Sequence, residues 1–390
     1  MIPEELKIKV EELEAMIQSG SDYAQVETQA REMLEALSIG EGTGGDRELH
    51  ARTLLALSIS LWQRGMAKEA LPCAEEALAL AEQLESKKLQ AKALGNIGTV
   101  HWNLSNYARA LEYLGRALAL DEDLGNKAGM ATILGNIGIV YENLADYARA
   151  LEYYGKALAL DEELGNKSGM ARHLGHIGIV YENLSDYSRA LEYYDKALAL
   201  DEELGNKRAV AGHLGNIGNV YANLSDYARA LEYMGKALAL AEELGNKRAV
   251  AGHLGNIGVV HVQLSDYVRA LEYFGKALAL AEELGDKSGV AGHLGNIGVV
   301  HVQLSDYVRA LEYFGRALAL AEELGDKSGV ATWLGNIGET YTKQDFEGYD
   351  PDKAEEYLLR AIDLSTEIGY KATLIEFHKT LSDLYEHEQR

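Results

Sequence analysis

A block of 40 residues recurs along this chain, and its fixed length restricts the fold more than any other feature. Residues 251–290 read AGHLGNIGVVHVQLSDYVRALEYFGKALALAEELGDKSGV. Residues 291–330 repeat them with one change, Arg316 in place of Lys276. The same frame fits blocks beginning at Ala91, Ala131, Ala171 and Ala211, with a weaker match from Ala51 and a modified one from Ala331. A sustained period of about 20–50 residues signals a stacked array, in which each unit buries its apolar face against its neighbours. A chain of 390 residues therefore need not divide into two or three globular domains, because an array grows without a new core.

One block shows what is stacked. In the block from Ala131, Leu134, Ile137, Gly138 and Tyr141 fall on one face of a helix. Asn143-Leu144-Ala145-Asp146 breaks that pattern. A second helical face follows, through Tyr147, Ala150, Leu151, Tyr154, Ala157 and Leu158. Gly165 suits a C-terminal cap, and Ser168 suits the N-cap of the next helix. No prolines fall inside the six clean repeats, and no β-branched alternation is present. Each block therefore reads as two antiparallel helices, A and B, of about 14 and 18 residues.

The small residues Gly138, Ala150 and Ala157, set among Leu134, Ile137, Tyr141 and Tyr154, resemble the tetratricopeptide repeat (TPR) signature. The resemblance covers roughly residues 51–386. It departs from the usual pattern in its period of 40 and in a helix B extension, Asp161-Glu162-Glu163-Leu164-Gly165-Asn166-Lys167, where a proline normally stands. The 40-residue form with Leu-Gly-Asn is similar to the repeat adaptors of the Pins family. It also resembles TPR regions attached to bacterial histidine kinases and adenylate or guanylate cyclases. The resemblance implies an all-α fold, a right-handed α-solenoid of antiparallel helix pairs with helix A lining the concave face. It implies a non-catalytic scaffold for an extended peptide or partner segment, serving as the sensory or interaction region of a signalling protein. The alternative is a structural or self-associating spacer.

The ends differ from the middle. Residues 1–45 read as a helical pair and a Gly-rich break at 40–45, an N-terminal cap to an array spanning 46–370. Gln344–Asp350 lengthens the last A–B turn, and Pro351 suits the start of its helix B. Residues 371–390 read as a capping helix or a truncated repeat. Exposed Phe377 and Leu381 would favour a chain that continues.

Composition narrows the chemistry. A formal charge of −24 repels nucleic acid and anionic membranes and attracts basic partners weakly. The single Cys73, the charged N-terminus and the lack of a long apolar run suit the cytoplasm. No phosphate loop, metal motif or nucleophile elbow is present, so neither enzyme nor cofactor is expected. His173, His213, His253 and His293 share one repeat position. Stacked helices about 8–10 Å apart cannot bring four of them to one zinc ion, so packing explains them better. His101, His261 and His301, at the signature Tyr position, read the same way. The Tyr column from Tyr113 to Tyr313 suits packing between repeats, and runs such as Asp161-Glu162-Glu163 suit solvated faces.

The sharper signal is a ladder at the sixth position of helix A: Asn96, Asn136, Asn216, Asn256, Asn296 and Asn336, interrupted by His176. Asn is a poor residue inside a helix, yet its carboxamide can pair with a peptide backbone without reading its sequence. In the resembling adaptors the Asn of this tripeptide contacts bound peptide. The other reading is a bond to the adjacent repeat. The glycines beside the ladder, from Gly95 to Gly335, would either floor a groove or let neighbouring A helices pack closely. Gly212, Gly252 and Gly292 bare the same surface one turn earlier. Arg172, Asn183, Asn219, Asn223, Gln263 and Gln303 complete the candidate peptide-binding set. The groove is mixed and polar toward its N-terminal half and more apolar toward its C-terminal half.

Overall fold

A computed structural model describes residues 4–18, 22–38, 44–369 and 371–388, in two compact units, 1–204 and 205–390. Among the described residues every regular element is an α-helix. The first unit holds α1 (Glu4–Gln18), α2 (Tyr23–Ser38), α3 (Gly44–Gln63), α4 (Ala67–Gln83), α5 (Lys87–Asn103), α6 (Tyr107–Asp123), α7 (Lys127–Asn143), α8 (Tyr147–Leu164), α9 (Lys167–Asn183) and α10 (Tyr187–Glu203). The second holds α11 (Lys207–Asn223), α12 (Tyr227–Glu243), α13 (Lys247–Gln263), α14 (Tyr267–Glu283), α15 (Lys287–Gln303), α16 (Tyr307–Leu324), α17 (Lys327–Tyr341), α18 (Pro351–Ile368) and α19 (Lys371–Glu388). From α3 onward, each odd helix is an A helix that packs against the even B helix after it. Within a unit each B helix packs on the next A helix, and successive A helices touch as well. Each unit is thus an α-solenoid of antiparallel helix pairs.

The A helices start earlier than the block frame suggests. α9 runs 17 residues from Lys167, and its N-cap is Asn166, which accepts from the Gly169 N–H at 3.3 Å. Ser168 lies inside the first turn, so the expected Ser cap is corrected. The Asn166 carboxamide uses both its ends, since Nδ2 also donates to Asp161 at 2.8 Å. A Cβ on Gly169 would come within 2.0 Å of that carboxylate, which is why glycine stands there. Gly165 caps α8 in the left-handed region, as its position predicts. The A–B turn places Ala145 and Ser185 at φ 54° and 58° without glycine, which nothing in the sequence announced.

Close packing explains the frame residues. A Cβ on Gly138 would sit 2.6 Å from the Tyr154 ring, so only glycine lets α7 and α8 meet across a buried aromatic. Ala150 and Ala157 are fully buried beside it. The Tyr154 hydroxyl donates to Glu142 at 2.6 Å, which satisfies a polar group inside the core. Phe274 and Phe314 take the place of Tyr154 in later repeats, and Val262 and Val302 then replace the glutamate.

The acidic runs are only partly solvated. Asp121 and Asp161 are buried, because their carboxylates bond the Asn caps of the following A helices rather than facing outward, and Asp201 is buried at the end of α10. The glutamates after them are exposed. Lys127–Glu163, Lys167–Glu203 and Lys247–Glu283 tie the start of each A helix to the end of its own B helix. Such open ion pairs add little stability individually. The Tyr column stacks within repeats, Tyr153 on Tyr141 at 5.4 Å and Tyr113 on His101 at 5.4 Å, and Tyr153 and Tyr193 also border core clusters that span two repeats.

At the N-terminal end, α1 and α2 pack with α3. The Gly-rich break expected at 40–45 falls at Gly40–Thr43 outside the described residues, while Gly44 and Gly45 already belong to α3. At the other end α19 packs on α18 and α17. The exposed Phe377 and Leu381 expected there are instead buried, since Phe377 fills the space over Gly335.

Candidate functional site

In the first unit, α3, α5, α7 and α9 line a groove of about 780 Å³. Lys88, Lys92, Asn96 and Thr99 recur at helical spacing on one face of α5 and all point into it. α7 adds Thr132, Ile133 and Asn136, α9 adds Arg172, and α3 adds Arg52, Leu55, Ile59 and Trp62. Arg52 is held by Glu14 through two hydrogen bonds, of 2.7 and 3.0 Å. Burial works to raise the Glu14 carboxyl. The Arg52 hydrogen bonds and the charges of Arg52, Lys92 and Lys88 together outweigh it, so Glu14 stays below the usual carboxylate range. Asn96 Nδ2 donates to the Leu55 carbonyl at 3.5 Å, while its buried Oδ1 finds no donor among the described residues.

The Asn ladder divides. Asn136 Nδ2 reaches Thr99 Oγ1 at 3.4 Å, and Asn256 Nδ2 reaches Asn219 Oδ1 at 3.2 Å. Both bonds join one A helix to the A helix before it. At Asn296 and Asn336 the corresponding earlier residues are Val259 and Val299, which offer no acceptor side chain. Asn216, Asn296 and Asn336 are half-buried on α11, α15 and α17. In the interrupted position, His176 Nδ1 lies 3.4 Å from Glu142 and its ring stacks on Tyr154 at 5.1 Å.

The glycines beside the ladder mainly let neighbouring A helices pack, although Gly95 also lines the groove of the first unit. A Cβ on Gly95 would meet Ile133 at 2.7 Å, on Gly135 His173 at 2.5 Å, and on Gly255 His293 at 2.9 Å. Trp333 covers Gly295 in the same way, and Phe377 covers Gly335. Within each unit the third residue of an A block thus plugs the glycine of the block before it, which accounts for His173, His253 and His293 by packing. Burial pushes the His173 imidazole down to about 3, and the Arg172 guanidinium adds to the effect. Its Nε2 lies 3.1 Å from Asp161 without the alignment of a hydrogen bond.

In the second unit the open surface is at Gly212 and Gly252, where an added Cβ would meet nothing within 4 Å. They line a cavity of about 310 Å³ with Arg208, His253 and Asn256. Asn183, Asn223, Gln263 and Gln303 line neither this cavity nor the groove of the first unit. Each is the exposed last residue of its helix.

A tetratricopeptide repeat family model matches residues 89–163, 129–203, 209–283 and 289–367, well over half the chain. The chain belongs to the tetratricopeptide repeat family. Among solved structures that share this TPR fold is a Rap protein complexed with Competence and Sporulation Factor, 18% identical with a TM-score of 0.61 over 99% of each chain. Aspartyl phosphate phosphatase F from Bacillus subtilis is 16% identical with a TM-score of 0.61, over 92% of this chain and 93% of that one. The apo quorum sensor NprR from B. thuringiensis is 16% identical with a TM-score of 0.62, over 93% and 99%. At such identities the likeness is one of fold. No curated protein matches the chain.

Two features of this TPR groove escape the block reading. Lys88 and Arg52 line it, yet Lys88 falls in the tail of the preceding block when the frame is set at Ala91. Its spacing of four from Lys92 is the signal that places both on one helical face. Among the described residues no group of three His, Cys, Asp or Glu is placed to hold a metal ion, and no helix is long and apolar enough to cross a membrane.

Proposed function

We propose that this TPR chain is a non-catalytic scaffold that binds an extended peptide or partner segment along its A helices. The observation that carries the reading is the first unit's groove, where polar side chains from successive A helices converge on an open channel of about 780 Å³. A backbone-directed carboxamide and a cation on successive A helices suit an occupant that lies along the array. The similar structures support the reading: one is a Rap protein complexed with Competence and Sporulation Factor, and another is the quorum sensor NprR. A cytoplasmic sensory or interaction region of a bacterial signalling protein fits this reading, with Asn96, Asn136 and Arg172 as its contact residues.

The experiment is affinity purification of partners with the full chain, identification of the captured protein, and calorimetric titration of that protein. Asn136→Ala and Arg172→Ala should each weaken the measured affinity by about tenfold, as for loss of a charged or polar interface contact. Affinity that is unchanged in both variants, with an intact helical spectrum, would sink the groove reading.

A further inference from the structure

We infer that the first unit's groove takes an acidic extended segment, although the chain carries a net charge of −24. This rests on the groove reading above and adds the chemistry of the occupant. The overall charge would favour a basic partner, but the lining says otherwise. It holds Arg52, Lys88, Lys92 and Arg172 against only Glu14 and Asp121. Glu14 and Arg52 neutralise each other in their two-bond pair. Asp121 is buried and bonded to Asn126 at 2.7 Å, so it faces a partner inside the fold. Lys88, Lys92 and Arg172 remain, all exposed and none in an ion pair among the described residues. Lysines elsewhere on the repeats are spent on neighbours: Lys127 on Glu163, Lys156 on Glu152, Lys167 on Glu203. Three unspent cations on one wall are a local reversal of the chain's charge.

The spacing sets the occupant's length. Lys92 and Arg172 hold the same position on α5 and α9, two A-helix steps apart. At about 8–10 Å per step, about 16–20 Å separates them, the span of about six residues of extended chain. Where α3 and α5 line it, at the Lys92 end, the groove presents orphaned polar atoms. Asn96 is 8% exposed, and its Oδ1 lacks a donor. The Leu55 carbonyl, which can only accept, fixes the Nδ2 end of that carboxamide against it. Trp62 Nε1 is buried without an acceptor on the same lining. One acceptor and one donor are what an extended backbone satisfies. Carboxylates toward the two ends of the segment then meet Lys88 and Lys92 at one end and Arg172 at the other. A long polyanion is disfavoured by the field of the whole chain, whereas a segment with a few carboxylates feels mainly the groove.

The test uses the full chain and three labelled peptides of about eight residues, with Glu, Gln or Lys alternating with Ser, read by fluorescence anisotropy at about 50 and about 300 mM salt. The Glu peptide should bind about tenfold or more tighter than the Lys peptide at low salt, and should weaken at high salt. Lys92→Glu and Arg172→Glu should each cut its affinity about fivefold or more. Lys68→Glu, the same charge change on α4 outside the lining, should leave it unaltered, and both groove residues are exposed enough to be reversed without unfolding. Equal or tighter binding of the Gln or Lys peptide overturns the acidic occupant. If Asn136→Ala still weakens that peptide, the groove reading survives. Failure of all three peptides to bind also overturns the acidic occupant, and the partner titration above, which assumes no charge, then decides the groove reading separately.

Discussion

The two units carry the same frame and bury different things. In the first, α6, α8 and α10 each bury an aspartate near their ends, Asp121, Asp161 and Asp201. In the second, α12, α14 and α16 have Ala241, Ala281 and Ala321 at that position, all buried. Tyr154 and Tyr194 reach Glu142 and Glu182 through hydrogen bonds in the first unit, while Phe274 and Phe314 face Val262 and Val302 in the second. The second position of the 40-residue block reads Lys92, Thr132 and Arg172 in one, and Gly212, Gly252 and Gly292 in the other. Helix pairing needs the small residues at Gly138, Ala150 and Ala157 and their equivalents, and it tolerates either a polar or an apolar filling around them. What differs between the units is therefore free to serve binding, or to tune stability, without altering the fold.

The largest expected effect separates glycines that serve the frame from glycines that do not. Gly138→Ala and Gly258→Ala each drive a Cβ to 2.6 Å from a buried ring, Tyr154 or Phe274. Each should destabilise by about 1–3 kcal/mol, because a close-packed ring has nowhere to go. Gly252→Ala meets nothing within 4 Å, and should stabilise by about 0.5–1 kcal/mol through helix propensity. Urea midpoints of the full chain measure all three, and losses of equal size at 138 and 252 would break the distinction.

The next effect exchanges the filling between units. Tyr154→Phe removes the 2.6 Å bond to Glu142 and should cost about 1–2 kcal/mol, because the carboxylate is left short of a donor inside the fold. Adding Glu142→Val recreates the pairing of Phe274 with Val262 and should recover part of that loss. A double variant no better than the single one would mean that His176, 3.4 Å from Glu142, carries more of the pair's energy than Tyr154 does.

A weaker effect concerns the plugs over the glycine column. Burial pulls the His253 and His293 rings below the ordinary histidine range, with Asp286 opposing it slightly at His293. A folded-state value below the unfolded one means that the unfolded chain takes up the proton more readily. Stability is therefore full above the ordinary range and falls as pH drops from there through the depressed folded values. His253→Ile with His293→Ile copies Ile133, which plugs Gly95 in the first unit, and should flatten the loss of melting temperature between about pH 7 and about pH 5. An unchanged slope would assign the acid sensitivity to His101, His173 and His261 instead.

The fold was legible because a strict 40-residue period and the spacing of Gly138, Ala150 and Ala157 leave few other ways to bury one apolar face. The groove was legible only in part. Asn96, Asn136 and Arg172 do line it, but periodicity alone could not tell that Asn136 and Asn256 bond the preceding A helix, because a residue facing a groove and one facing a neighbouring helix share one helical face. Gly135 and His173 are 38 positions apart, and only the packing of α9 on α7 joins them. Lys88 was hidden by a block boundary set one turn inside its helix. The buried Asp161 was hidden because a column of aspartates reads the same whether it faces solvent or an Asn cap.

The smallest effect tests what the two units share. The A–B turn holds Ser185 at φ 58° in the first unit and Ser265 at φ 57° in the second, a region that side chains with a Cβ enter at a cost. Neither is needed as a cap, since Asp186 and Asp266 supply the side-chain acceptors for α10 and α14. Ser185→Gly and Ser265→Gly should therefore each relieve strain and stabilise by about 0.5 kcal/mol after the added flexibility of the unfolded chain is counted. Because the turn lies outside everything that differs between the units, the two gains should match. A gain at one turn and a loss at the other would show that the polar and apolar fillings reach the frame after all, and that the repeat is not one scaffold with two linings.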